Sequence, residues 1–276
     1  MKIKSFSKIN LTLRVLNKFK NGMHNIETNS VLVNLLDEIS IKKAVKDAVT
    51  FKGKFRNKID LKKNTVNKTL EILRKLKILK NYYKIVIKKN IPVYGGLGGG
   101  TGNSASLVKY FLKNKISEKI INACEQKIGS DFRLFLNNYS FQKNLGKVFK
   151  TQNNIQSSIL IVFPLIDCKT KNVYKAVKNF SSPSGKYYQK KINRKEFIET
   201  IKKDRNDLQK VVEKKYSKIS LLIKLINRQK GCFFSRMTGS GSACYGVFKS
   251  KKTAKFAMTK LKRKYPKYWC VITKTI

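Results

Sequence analysis

The chain has 276 residues, a formal net charge of +47, 41% apolar and 28% charged residues, a balance that fits a soluble globular protein of one large domain or two medium ones. No apolar run reaches the roughly 18–20 residues of a bilayer span, and the opening MKIKSFSKINLTLRVLNKFK lacks the continuous apolar stretch of a secretory signal, so a cytoplasmic protein without a membrane partner is expected. Five scattered cysteines with no CxxC pair and a single histidine, His24, argue against a disulfide framework or a histidine-rich metal site.

The positive charge invites a nucleic-acid reading, and three features weigh against it. Lysine supplies 53 of the 62 basic residues and arginine only 9, whereas bidentate phosphate and base recognition favours arginine. The lysines are spread along the whole chain instead of forming one arm or stripe. Asparagine and isoleucine are also abundant, as an AT-rich coding sequence would produce. No specific nucleic-acid partner is therefore expected, although the field still draws anionic substrates.

In chain order, KIKSFSKINLTLRVL alternates apolar and polar residues at Ile9, Leu11, Leu13 and Val15, the pattern of a half-buried strand. NSVLVNLLDEISIKKA continues with strand-like runs. NTVNKTLEILRKLKIL, residues 64–79, carries apolar residues at helical spacing behind Asn64 as N-cap. KIVIKKNIPV returns to a strand that ends at Pro92. A glycine run follows, then helices over SASLVKYFLKN, starting near Ser104, and SEKIINACEQKIG, with Ser117 as N-cap and Gly129 past the end. TQNNIQSS, residues 151–158, is polar and unpatterned, and marks a domain junction. Beyond it come the strand ILIVFP, the loop SSPSGK, a long helical region from about Lys195 to Arg228, the strand SACYGVF, the helix KKTAKFAMTKLKRKY and the strand WCVITKTI. The mixture on both sides of one junction predicts an α+β protein in two lobes, residues 1–153 and 154–276.

The stretch from Pro92 to Ser106 reads PVYGGLGGGTGNSAS, six glycines in fifteen residues. A flexible linker has no fixed element at either end, but here a strand leads in and an amphipathic helix leads out. Successive amides of a glycine-rich turn form an anion-binding concavity, and a following helix adds its positive end. No GK[ST] closes the loop and no register gives GxGxxG, so neither a Walker A loop nor a dinucleotide fingerprint is present.

PVYGGLGGGTGNSAS resembles the Pro-x-x-x-Gly-Leu-Gly-Ser-Ser ATP loop of the GHMP kinases, and the doubled GGLGGG form is most similar to the branch that phosphorylates an erythritol carrying a cytidine diphosphate, in isoprenoid precursor synthesis. Three further segments agree in order and spacing: SKINLTLRVLNKFKNGMHNIETN, ACEQKIGSDFRLFL and RMTGSGSACYGVF. The resemblance spans nearly the whole chain. It implies an N-terminal ATP-binding lobe of the ribosomal-protein-S5-like type, a C-terminal ferredoxin-like lobe, ATP with Mg2+, and a small-molecule substrate bearing a cytidine diphosphate group. A monomer or weak homodimer is expected.

Carried over residue by residue, the resemblance implies that Asp131 is the catalytic base and that Lys8 holds the acceptor hydroxyl and Asp131 by a charge-assisted contact. Asn10, Met23, His24 and Thr170 fall at acceptor-binding positions. Asn64 and Lys89 fall near the adenine pocket. Pro92, Gly95, Gly96, Leu97, Gly98, Gly99, Gly100, Thr101, Gly102 and Asn103 form the ATP loop, and Gly239 and Gly241 a second glycine turn on the acceptor side. Three positions depart from the family pattern. Met23 stands where the family has an aromatic platform for cytosine. Thr101-Gly102 replaces a serine pair, which leaves one hydroxyl for phosphate or Mg2+. Arg133 replaces a proline, altering the loop path or adding a phosphate contact. Two alternatives stay open: another small-alcohol GHMP kinase, of homoserine or mevalonate type, and a basic RNA-binding protein on an S5-like fold.

Overall fold

The computed structural model describes residues 1–153, 155–184 and 191–276. Residue 154, where the second lobe is expected to begin, and the last two residues of the SSPSGK loop lie outside the described residues. The chain forms two compact units, one of Met1–Lys8, Leu35–Val93 and Gly98–Leu136, the other of Ile9–Asn34, Tyr94–Leu97 and Asn137–Ile276. They are interleaved in sequence, and the expected junction at 151–158 falls inside the second.

In the first unit, β4 (Ala48–Lys52) pairs in parallel with β5 (Tyr82–Lys88), and β5 pairs antiparallel with the later part of β3 (His24–Ala44), from Glu38 opposite Lys88 to Ala44 opposite Tyr82. The strand β1 (Lys2–Asn10) also pairs with β3. A parallel pair needs a crossover of a dozen or more residues; residues 53–81 supply it and contain α1 (Thr65–Lys75). Asn64 caps α1 as expected, its Oδ1 accepting from the amides of Val66 and Asn67 at 3.1 and 3.0 Å. The helix stops at Lys75, short of the expected Leu79, because the chain turns through Lys77 at φ 58°. Along β3, residues 33–41 alternate buried and less buried positions, so one face is covered, whereas residues 26–33 are buried throughout.

The largest correction lies in the glycine run. The helix α2 spans Gly99–Phe111 and does not wait for Ser104. Glycine lowers helix propensity by about 1 kcal/mol relative to alanine, so the sequence reads as loop, but close packing overrides that preference. The helix α3 (Glu118–Lys127) follows, with Ser117 at its N-cap position but no side-chain cap bond, and then a 3₁₀ turn over Phe132–Phe135.

In the second unit, β8 (Ser158–Phe163), β9 (Cys232–Met237), β10 (Cys244–Phe248) and β11 (Trp269–Lys274) form an antiparallel sheet in the order β11-β8-β10-β9. The region expected as one long helical stretch is three helices, α5 (Arg194–Lys203), α6 (Asp207–Lys215) and α7 (Ser217–Asn227), preceded by the short α4 (Thr170–Lys175). The helix α8 (Lys251–Lys264) links β10 to β11. The path strand, helices, two strands, helix, strand is the ferredoxin-like arrangement. Leu160, Val162, Leu222, Ile226, Ala257 and Leu261 fill the layer between sheet and helices. The rest of the unit is built on the first part of β3, which pairs with β2 (Arg14–Lys18) and with β6 (Tyr139–Asn144), itself in a hairpin with β7 (Lys147–Lys150).

All five cysteines are free, and burial pushes the thiols of Cys124 and Cys232 up to about 12 and those of Cys168 and Cys270 up to about 11. Among the described residues no helix is long and apolar enough to cross a membrane.

Arg236 ties three segments of the second unit together. Its guanidinium donates to the carbonyls of Leu11, Ile201 and Asp204, and the residue is 6% exposed. Replacing it takes a charged donor away from three carbonyls, bonds worth about 1.5–3 kcal/mol each. Arg236→Leu is therefore expected to destabilise the protein by about 3 kcal/mol or more, read as a lowered urea midpoint.

Candidate active site

In the first unit the sequence brings a lysine, a carboxylate and a helix start together. Gly98 is the N-cap of α2 in the left-handed conformation, φ 67°. A side chain there would be strained by the backbone, and its Cβ would stand 2.5 Å from Phe135 Cζ and 3.3 Å from Lys8 Cε. The first intrahelical bond runs from the Gly102 amide to the Gly98 carbonyl at 2.8 Å. The amides of Gly99, Gly100 and Thr101 thus belong to the first turn, where no helical carbonyl reaches them and the helix dipole is positive. Free first-turn amides of this kind are able to bind an anion.

Lys8 is 5% exposed on β1. Burial pulls its pKa below the ordinary lysine value, and the nearby charge of Asp131 opposes that shift. Asp131 sits directly before the 3₁₀ turn Phe132–Phe135. A methyl placed on Gly129 would stand 3.1 Å from Asp131 Oδ1 and 3.7 Å from Thr101 Oγ1. The absence of a Cβ at Gly129 therefore leaves a small space edged by a carboxylate and a hydroxyl, both oxygen donors suited to a hydroxyl, a phosphate or a hard cation.

Asn64 and Lys89, also expected in this unit, have internal partners. Asn64 uses Oδ1 to cap α1 and Nδ2 to bond the carbonyls of Asp60 and Leu61. Thr65, beside it, donates to the Gly100 carbonyl at 2.9 Å and so ties α1 to α2. Lys89 is paired with Asp37, both deeply buried. Asn103 is 1% exposed, and its Oδ1 accepts no hydrogen bond. Arg133 makes no room for a phosphate: its guanidinium is taken up by Glu118, Glu125 and Asn122 of α3, at 2.8–3.2 Å.

The second unit holds the front of the glycine run. The Gly95 carbonyl accepts from the Ala243 amide at 3.1 Å, and a Cβ on Gly96 would meet the Thr238 carbonyl at 2.2 Å. Residues 238–243 form the second glycine turn, with Gly239 at φ 51° and Gly241 at φ 79°. Asn206, which sequence reasoning did not single out, holds this turn by donating to the carbonyls of Met237 and Gly239 at 2.9 and 2.8 Å. Thr170 Oγ1 lies 3.0 Å from Ser240 Oγ within the turn. Asn10 is fixed by its amide on Thr238 Oγ1 (3.1 Å) and its Nδ2 on Thr28 Oγ1 (2.8 Å).

His24 opens β3, and its ring stacks at a tilt on Tyr174 of α4, with centroids 5.1 Å apart. Burial and the charge of Lys18 hold its pKa below the usual histidine value, which favours the neutral imidazole. Met23 is 38% exposed at the end of the turn between β2 and β3. Tyr174 was not anticipated; only the fold brings it to His24. The sequence-predicted residues thus divide into two sets, Lys8, Asn64, Lys89, Pro92, Gly98–Asn103 and Asp131 in the first unit and Asn10, Met23, His24, Gly95–Leu97, Thr170, Gly239 and Gly241 in the second.

This combination of folds and glycine turns is that of the GHMP kinases. Residues 64–132 match the GHMP kinases N terminal domain and residues 189–267 the GHMP kinases C terminal pattern. A 4-diphosphocytidyl-2-C-methyl-D-erythritol kinase of Pelagibacter ubique is 36% identical over 286 aligned residues, covering 100% of this chain and 99% of that relative. One from Wolbachia sp. subsp. Drosophila simulans is 28% identical over 99% of this chain and 98% of its own. A crystal structure of 4-(cytidine 5'-diphospho)-2C-methyl-D-erythritol kinase superposes with a TM-score of 0.77 at 20% identity, covering 99% of both chains. The chain belongs to the 4-diphosphocytidyl-2-C-methyl-D-erythritol kinase family of the GHMP kinases. It is an ATP-dependent small-molecule kinase.

Two measurements check this geometry. Gly129→Ala fills the space beside Asp131 and Thr101, and turnover is expected to fall about tenfold or more while the urea midpoint barely moves. Asp131→Asn removes the charge that opposes the effect of burial on Lys8, so the Lys8 pKa should fall further, as followed by NMR of 13C-methylated lysines.

Proposed function

We propose that the protein transfers the γ-phosphate of ATP to the 2-hydroxyl of 4-diphosphocytidyl-2-C-methyl-D-erythritol, a step in non-mevalonate isoprenoid precursor synthesis. The observation that carries this reading is Lys8 buried beside Asp131 at the start of α2, in a chain that aligns from end to end with a relative of that name. In the transfer a bond forms between the acceptor oxygen and the γ-phosphorus, and the bond from that phosphorus to the β,γ-bridging oxygen breaks, releasing ADP. Asp131 orients the hydroxyl and takes its proton. Lys8 keeps the hydroxyl and the carboxylate in place and, as a cation, offsets charge on the transferring group. The first-turn amides of α2 receive the phosphates. Asn64 and Lys89 border the nucleotide.

Mg2+ commonly rides on ATP, held by one or two carboxylates together with phosphate oxygens. Asp131 and Thr101 fit that donor set and would hold it; when bound it neutralises charge on the phosphate oxygens. Among the described residues no group of three or more His, Cys, Asp or Glu could hold a metal by itself, so such an ion would depend on oxygens of the nucleotide.

On the acceptor side, Asn10, His24 and Thr170 supply polar contacts, and the His24–Tyr174 pair offers ring faces to a nucleobase. Neither homoserine nor mevalonate carries a ring to occupy such a pair, which favours the cytidine-bearing acceptor over those alternatives. Met23 adds a polarizable thioether in place of an aromatic ring. An RNA-binding role would give Lys8 and Asp131 no work. The reading carries with it a cytoplasmic setting, no specific nucleic-acid partner, and action as a monomer or weak homodimer.

ATP consumption measured with diphosphocytidyl-methylerythritol, homoserine and mevalonate offered separately should appear with the first alone; exclusive turnover of either other alcohol overturns the assignment. Lys8→Ala and Asp131→Asn are each expected to lower kcat by at least about 10²-fold in a protein that still folds. Near-wild-type turnover in either would remove the role given to that residue.

A further inference from the structure

One buried carboxylate outside the glycine motif holds the segment that leads into it. Asp37 lies in the later part of β3 and is fully buried. Its Oδ2 pairs with Lys89 Nζ, and its Oδ1 accepts from the amides of Asn90 and Ile91 at 2.8 and 2.9 Å. Asn90 closes the arrangement by donating from Nδ2 to the Leu36 carbonyl at 3.1 Å. One side chain therefore grips three consecutive residues, 89 to 91, directly before Pro92 and the glycine run.

Two of those three residues touch the start of α2. A Cβ on Gly99 would stand 3.0 Å from Ile91 Cγ2 and 3.3 Å from Lys89 Nζ. Lys89 is 3% exposed, so its ammonium is held inside the protein against the first residue of the helix. That is an unfavourable place for a cation: the helix N-terminus is already positive, and an unpaired buried charge is strongly disfavoured. Asp37 supplies the negative charge that allows it. A phosphate arriving at the first turn of α2 then meets a positive group already fixed nearby, with no reorganisation needed at the moment of binding.

We propose that Asp37 is a positioning residue for the nucleotide: it holds Lys89 and the 89–91 segment against the start of α2, and through them it sets the affinity for ATP. The proposal rests on the kinase reading but not on the identity of the acceptor.

The test uses the full chain and a non-hydrolysable ATP analogue, with affinity measured calorimetrically in the absence of any acceptor. Asp37→Asn keeps the two backbone bonds but gives up the charge; Lys89→Met keeps the stem but not the ammonium; the double variant carries both. Each single variant is expected to raise the Kd of the analogue about tenfold or more. The double variant should be no weaker than the worse single, because the two side chains act as one unit. In steady state Asp37→Asn should raise KM for ATP by a similar factor, with the acceptor KM changed less than twofold. A folded Asp37→Asn protein that binds the analogue like wild type overturns the proposal, as does a double variant whose losses simply add. If Asp37→Asn alone fails to fold, the double variant decides: wild-type affinity in that neutral pair makes the ion pair purely structural and sinks the proposal. Failure of the wild type itself to bind the analogue would instead strike at the kinase reading.

Discussion

The Phe135 ring lies so close to the start of α2 that neither Gly98 nor Gly102 has room for a Cβ, at 2.5 and 3.0 Å from ring atoms. Much of the first unit's chemistry follows from that contact. It brings the first turn of α2 down onto β1, where the Gly102 position also meets the Phe6 carbonyl and Lys8 follows two residues on. Phe135 ends the 3₁₀ turn that begins after Asp131, so the ring that seats the helix also fixes the carboxylate. Lys109, later on α2, grips the end of that turn from its carbonyl side, donating to Phe135 and Leu136 at 2.8 and 3.2 Å. Arg133 holds the middle of the turn to α3. A carboxylate carried on a short turn would otherwise sit on a soft element; here the turn is held from three directions.

Much of this was legible in the sequence, and the failures have a common cause. The Asn64 cap, the central β8 strand and the α8–β11 ending follow local rules of capping and periodicity, and the structure obeys them. The glycine run stood out as something other than a linker, but its helix start was misplaced by five residues, because propensity counts glycine against a helix while packing at Gly98 and Gly102 demands it. The four-residue strand β7 was missed because it holds little periodic signal. Tyr174, Asn206 and Asp37 lie in no motif, and Phe135 and Arg236, though inside motif segments, were not singled out there. Each matters through partners tens to hundreds of residues away, as in Asp37 with Lys89 or Arg236 with Leu11, and only a fold can display those. Arg133 shows the reverse error. As a departure from a family pattern it suggested an altered loop path or a contact with phosphate, and two glutamates and an asparagine of α3 occupy its guanidinium.

The second unit solves a different problem, that of holding irregular backbone still. The Thr238–Ala243 turn has little side-chain volume of its own, and it is kept in place by groups reaching in from outside. Asn206 donates to two of its neighbouring carbonyls, Thr170 meets Ser240, and Ser242 bonds the Ile166 carbonyl. Tyr245, fully buried, sends its hydroxyl to the Asn10 carbonyl. Small residues leave the buried backbone of the turn within reach of these side chains, which supply its rigidity.

Arginine usage carries a further meaning. In a chain with 53 lysines and 9 arginines, lysine is the default cation. Six of the nine arginines nevertheless hold multiple partners that need a planar fork. They are Arg14 on Asp204 and Ser182, Arg74 on Asp47 and Asn81, Arg133 on Glu118 and Glu125, Arg194 on Ile155 and Ser157, Arg205 on Asp207 and Ser181, and Arg236 on three carbonyls. A lysine could carry the charge at these places but not the geometry. Where lysine is the commoner cation by so wide a margin, the few arginines act as a printed record of the joints, and most of them mark places where distant segments of the chain are bolted together.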